Sequence, residues 1–135
     1  MYTYLDRRTS ELAEADLFVL SAMRGWVAAA RGGRCVCHAL ARGFEQRGVL
    51  EALMEFATAM ALVDRFGRAQ FRFGAIACVR VTDDEARLLS LFALGRAGDR
   101  EGVAIAAAGT IAAPSVPRML VAIDTVSTAL TGDAA

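Results

Sequence analysis

The chain has no lysine and no asparagine, and only one histidine, one tryptophan and two prolines in 135 residues. All 15 basic residues are arginine, and 15 Asp and Glu bring the formal net charge to zero. A balanced chain excludes a globally basic nucleic-acid binder and an acidic tail protein. With His38 the sole histidine, chemistry that takes two imidazoles from one chain is excluded as well. There is no phosphate-binding loop, dinucleotide glycine fingerprint, nucleophile elbow or Cys-x-x-Cys pair. Long apolar runs are also missing. The longest uncharged stretch, residues 102–117, holds 16 residues, is rich in Ala and Gly, and closes with Pro114 and Pro117. A spanning helix needs about 20 apolar residues, so no membrane span is expected. The start lacks the basic-then-apolar pattern of a secretory signal, and three cysteines is an odd count. Reduced thiols in a cytoplasm are the expectation.

What is present is apolar: 56% hydrophobic residues and a mean hydropathy of +0.39. Much of this is alanine, the best helix former and a weak hydrophobe. Glycines mark the joints, and between them apolar residues recur at helical spacing. Helices are predicted from Thr9 or Ser10 to residue 31, over 34–47 and over 49–66. In the first, Glu14, Ser21, Arg24 and Arg31 form the polar seam. In the third, Leu50, Leu53, Met54, Ala57 and Ala61 form the inner face.

Thr82 stands three residues before Glu85, a capping box, and Asp83 and Asp84 add negative charge to the first turn of a fourth helix. Asp99 caps a fifth, in which Gly102, Ala106, Gly109 and Ala113 share a small-residue face. A last helix carries Met119, Ile123, Val126 and Leu130 at spacings of 4, 3 and 4, a packing seam. Residues 67–81 alternate polar and apolar and read as an extended linker or a short strand. The expected fold is all-α: one domain over residues 1–135, a compact bundle of five to six helices, with a short extended segment near 68–81 left open.

Three sets of residues could carry function. Cys35-Val36-Cys37-His38 matches neither haem attachment nor a zinc pair in spacing. On a helix, Cys37 falls on the apolar face while Cys35 and His38 fall on the polar one, so one ion cannot take all three. The ordinary reading, one buried and one exposed thiol beside a surface histidine, is favoured over a metal, haem or reactive-thiol site there. Arg65, Arg68, Arg72 and Arg80 surround Phe71 and Phe73, a pattern that could hold phosphates and stack bases. Phenylalanines packed on the bundle with arginines in water is favoured over nucleic-acid binding. Carboxylates are the third set. Asp64 falls near an apolar face and Asp16 and Asp124 flank apolar positions, but no acid–base pair is recognisable.

The chain resembles a family of short, uncharacterised helical bacterial proteins of unknown function. The resemblance rests on Asp16-Leu17-Phe18, Arg24, Leu53-Met54 and above all Cys78-Val79-Arg80-Val81-Thr82, followed by Glu85, Leu88 and Leu89. It covers about residues 14 to 96 and departs from the family in lacking a proline near Val79. It implies an independent small helical domain and transfers no activity, substrate or catalytic residue.

Charge is unevenly spread. Residues 34–80 hold seven Arg against four acids, and residues 81–135 four Arg against seven. A basic face of one copy could meet an acidic face of another. The expectation is a non-enzymatic, cytoplasmic protein-binding module without a cofactor, forming a homodimer. Its contact is placed on Met119, Ile123, Val126 and Leu130, or on Phe71 and Phe73.

Overall fold

The computed structural model describes Tyr4 and residues 7–132. They form six helices: α1 (Glu14–Arg31), α2 (Val36–Arg47), α3 (Leu53–Phe66), α4 (Asp83–Arg96), α5 (Arg100–Thr110) and α6 (Val116–Gly132). The described residues contain no strand. Residues 67–81 form an irregular linker with a turn closed by the Cys78 amide on the Ala75 carbonyl at 2.9 Å, and among the described residues it carries two isolated bridges, Arg8 with Arg80 and Gly67 with Ile111.

Local chemistry sets the helix ends. In α4, Thr82 Oγ1 accepts from the Glu85 amide at 3.1 Å and Glu85 Oε1 accepts from the Thr82 amide at 2.9 Å, the reciprocal box read from the sequence. Asp99 accepts from the Gly102 amide at 2.9 Å and starts α5. Gly48, with φ at +80°, closes α2 in a left-handed turn that a side chain would strain. The first helix begins at Glu14, later than predicted, because Thr9–Glu11 form a separate 3-10 turn.

α6 packs on α3, α4 and α5, while α1 packs on α2 and α4. A chain of aromatic contacts threads four helices: Phe18 to Phe44 at 5.0 Å between ring centres, Phe44 to Phe56 at 5.5 Å, and Phe56 to Phe92 at 5.8 Å. Gly95 brings α4 against α6, since a Cβ there would collide with Ser127 Oγ.

Two faces differ from expectation. α3 buries Leu53, Phe56, Ala59, Met60 and Val63 and leaves Met54 exposed, while Leu50 lies exposed in a separate 3-10 turn, Leu50–Ala52, ahead of it. α5 buries Val103, Ala107 and Thr110, and its predicted small-residue face is not the packed one.

Candidate functional site: a clamped apolar loop

Arg24 was assigned to a polar seam, yet it is buried in α1 and forms a two-point pair with Glu85. Its Nε donates to Glu85 Oε2 at 2.8 Å and its second terminal nitrogen to Oε1 at 2.9 Å. Glu85 also accepts from the Gly74 amide at 2.9 Å, besides the Thr82 amide of the capping box. Each carboxylate oxygen therefore takes two hydrogen bonds. Two further donors of Arg24 reach the Cys78 carbonyl at 2.7 Å and the Arg80 carbonyl at 2.8 Å. A buried ion pair is stable only when its desolvation is offset this completely. Burial pushes the Glu85 carboxyl up, but the hydrogen bonds from Arg24, Thr82 and Gly74 outweigh it and hold it below its ordinary value. The same hydrogen bonding to Glu85, against the opposing effect of burial, raises Arg24.

This pair fixes a loop. The Arg72 amide donates to Asp84 at 2.6 Å, and Thr82 Oγ1 donates to the Arg72 carbonyl at 2.9 Å. On the other side, the Thr9 amide reaches the Val79 carbonyl and the Val81 amide reaches the Arg7 carbonyl, both at 2.8 Å. Gly74 sits close against the clamp: a Cβ would lie 3.0 Å from the Arg24 guanidinium and 3.1 Å from Cys78 Cβ, so a side chain there would make these neighbours shift. Between these anchors, residues 74–79 carry no charge. They hold Ile76 at 69% and Val79 at 53% exposure, among the most exposed large apolar side chains of the described residues. This irregular segment shows Ile76 and Val79 to water while its backbone is hydrogen-bonded at both ends.

A second buried cluster joins the start of the chain to the end of α4. Asp16 accepts from Arg96 at 2.6 Å and from the Tyr4 hydroxyl at 3.1 Å. Burial, then the Asp16 charge, raises the Tyr4 phenol. One terminal nitrogen of Arg96 is buried without a partner among the described residues. Beyond this cluster lies an open cleft of about 490 Å³ between the end of α4, the start of α5 and α6. Val103, Leu120, Val121 and Ile123 form its apolar wall, with Asp99, Arg100 and Asp124 among its polar lining.

The residues singled out in the sequence do not gather into one site. Met119, Ile123, Val126 and Leu130 are all buried in the chain's own core, so this seam meets α3, α4 and α5 and not a second molecule. The expectation of a partner contact there is corrected: the periodicity marks a buried face without saying what covers it. Phe71 and Phe73 are half-buried, pack against the core, and line a smaller cavity of about 210 Å³ with Trp26 and Met60. Arg68 donates to the Ala108 carbonyl at 2.7 Å near the end of α5, and Arg65 lies over the Phe66 ring at 5.8 Å. Arg72 and Arg80 flank the clamped loop instead.

Cys35 is exposed at the cap of α2 and His38 is exposed, while Cys37 is half-buried with its sulfur 3.8 Å from that of Met54. No group of three or more His, Cys, Asp or Glu among the described residues is arranged to hold a metal. Asp64 and Asp124 are exposed, contrary to the buried setting considered for Asp64.

Arg24 and Glu85 were missed as a pair. The signal was present on the α1 side: Asp16, Leu20, Arg24 and Val27 recur at spacings of 4, 4 and 3, one buried face that includes two charges. Of the described helices, none is long and apolar enough to cross a membrane. No protein-family model, curated protein or solved structure matches this chain. Several residues that carry the resemblance noted above, Asp16, Arg24, Cys78, Arg80, Thr82 and Glu85, are members of the two polar clusters.

Proposed function

We propose that this chain is a non-enzymatic helical module that binds protein and associates with copies of itself, the loop of residues 74–79 being its contact element. One observation carries this: an uncharged loop exposes Ile76 and Val79 while the buried Arg24–Glu85 pair holds its backbone in place. A fixed loop loses little conformational entropy on binding, so the free energy of covering its apolar side chains is retained. Its charged groups also support a scaffold role, because Arg24, Glu85 and Asp16 are all engaged in holding helices and loop together. Three free thiols suit a reducing compartment, which accords with a cytoplasmic setting.

Nucleic-acid binding through Arg65, Arg68, Arg72 and Arg80 is less well supported. The aromatic rings that would stack bases, Phe71 and Phe73, pack on the core. Equilibrium sedimentation tests the reading. The wild type should exceed monomer mass at tens of micromolar, and the paired change Ile76→Asp with Val79→Asp should restore the monomer. A strictly monomeric wild type over that range ends the proposal.

A further inference from the structure

The smaller cavity, of about 210 Å³, lies outside the contact loop, and self-association makes no use of it. We infer that it is a binding site for one small, neutral aromatic molecule that carries a hydrogen-bond acceptor, received by the indole N–H of Trp26.

Three segments build the cavity. Trp26, Val27 and Ala30 line it from α1, and Met60 and Val63 line it from α3. Linker residues 69–71 and 73 complete the wall. The linker is hydrogen-bonded on either side of this stretch. The Arg68 amide donates to the Thr110 carbonyl at 3.0 Å, and the Arg72 and Gly74 amides donate to Asp84 and Glu85. The space is thus formed within a single copy, as ligand sites usually are.

Its polar chemistry selects the ligand. Trp26 is 9% exposed, and its Nε1 is buried with no hydrogen-bond partner among the described residues. A buried indole N–H ordinarily finds an acceptor, since leaving it unpaired forfeits the bond that water would make. The indole has no other polar atom, and the cavity it lines is where an acceptor can reach it. Phe71, Phe73 and Met60 supply the rings and the sulfur against which an aromatic ligand packs. Arg31 and Asp64 stand at the exposed rim, one of each sign, so the mouth favours no net charge. Gln70, also exposed there, offers an amide to a second polar group.

Size narrows the class further. An apolar cavity of roughly 150 Å³ takes a benzene ring. At about 210 Å³ this one takes a ring with one small substituent. Sites for larger ligands run to about 300–1,000 Å³.

Benzamide is the probe, and toluene is the matching ring without an acceptor. Calorimetry should show one benzamide site per chain, with toluene bound about tenfold more weakly. Trp26 is the only tryptophan, so its emission reports on this cavity and should change as benzamide saturates. Trp26→Phe keeps an aromatic ring and removes the donor. Benzamide should bind that variant about tenfold more weakly, while toluene binding changes little. Ala30→Leu, at an exposed helix position on the cavity wall, should fill the space and abolish binding of both.

Failure of benzamide to bind, the result expected of a cavity that takes only water, overturns the site. Equal affinity for benzamide and toluene overturns the role of the indole donor. Binding that survives Ala30→Leu, or that leaves the emission unchanged, places the ligand elsewhere and overturns the assignment. A monomeric wild type would end the self-association reading and leave this one standing.

Discussion

Two buried arginine–carboxylate pairs tie this bundle together, and they are built to different standards. In the Arg24–Glu85 pair the side chains are 3% and 0% exposed, the contact is two-pointed, and both carboxylate oxygens are fully engaged. In the Arg96–Asp16 pair the corresponding values are 16% and 8%, one nitrogen meets one oxygen, and a second guanidinium nitrogen is left buried without a partner. The first pair holds an irregular segment whose backbone groups have no helix to satisfy them. The second ties elements that are already helical. A loop held against water's competition needs every donor and acceptor matched, and a helix tie does not.

The largest expected effect comes from breaking the better pair. Glu85→Ala leaves Arg24 as an unpaired buried cation and removes the α4 capping box, a loss of about 3–5 kcal/mol. Asp16→Ala should cost about 1–3 kcal/mol, because Arg96 has more access to water. Urea denaturation of both variants measures the gap, and equal losses would erase the distinction.

The two clusters should also fail at opposite ends of the pH scale. The folded value of Glu85 lies below its unfolded one. Its contribution is therefore complete above the unfolded carboxylate range, near ~4.3, and is lost as pH falls through the folded value. The folded value of Tyr4 lies above its unfolded one. Its contribution is complete below the unfolded phenol range, near ~10, and is lost as pH rises through the folded value. Urea midpoints followed against pH should lose part of the acid limb in Glu85→Gln and part of the alkaline limb in Tyr4→Phe. If either variant flattens the other limb, the assignment of the clusters is wrong.

The smallest effect is expected at the surface, set against the core. Ile123→Ala should cost about 2–5 kcal/mol, while Met54→Ala, at 68% exposure, should stay within about 0.5 kcal/mol. Thermal melts of the two suffice to check this.

The helices were legible in the sequence because their signals are local. Thr82 and Glu85 are three residues apart, and Gly33, Gly48 and Gly98 take up the left-handed conformation at helix ends. The face of α3 was harder to read, since Leu53, Met54, Phe56, Met60, Leu62 and Val63 surround most of the helix and period alone does not say which side wins. The pairing in the clamp was not legible, although the spacing of Asp16, Leu20, Arg24 and Val27 marks the α1 side of it. Arg24 and Glu85 are 61 residues apart, and each had a sufficient local explanation, a polar seam for one and a helix cap for the other. Only packing of α1 on α4 brings them together.

The most direct test of the clamped-loop account is amide hydrogen exchange followed across a range of protein concentrations. The Gly74 amide, bonded to Glu85, should be slow even at high dilution, showing that the clamp belongs to the single molecule. The amides of Ile76 and Ala77 should be fast at high dilution and slow progressively as concentration rises and the loop is covered. A Gly74 amide that exchanges freely at high dilution, or loop amides indifferent to concentration, would contradict the account.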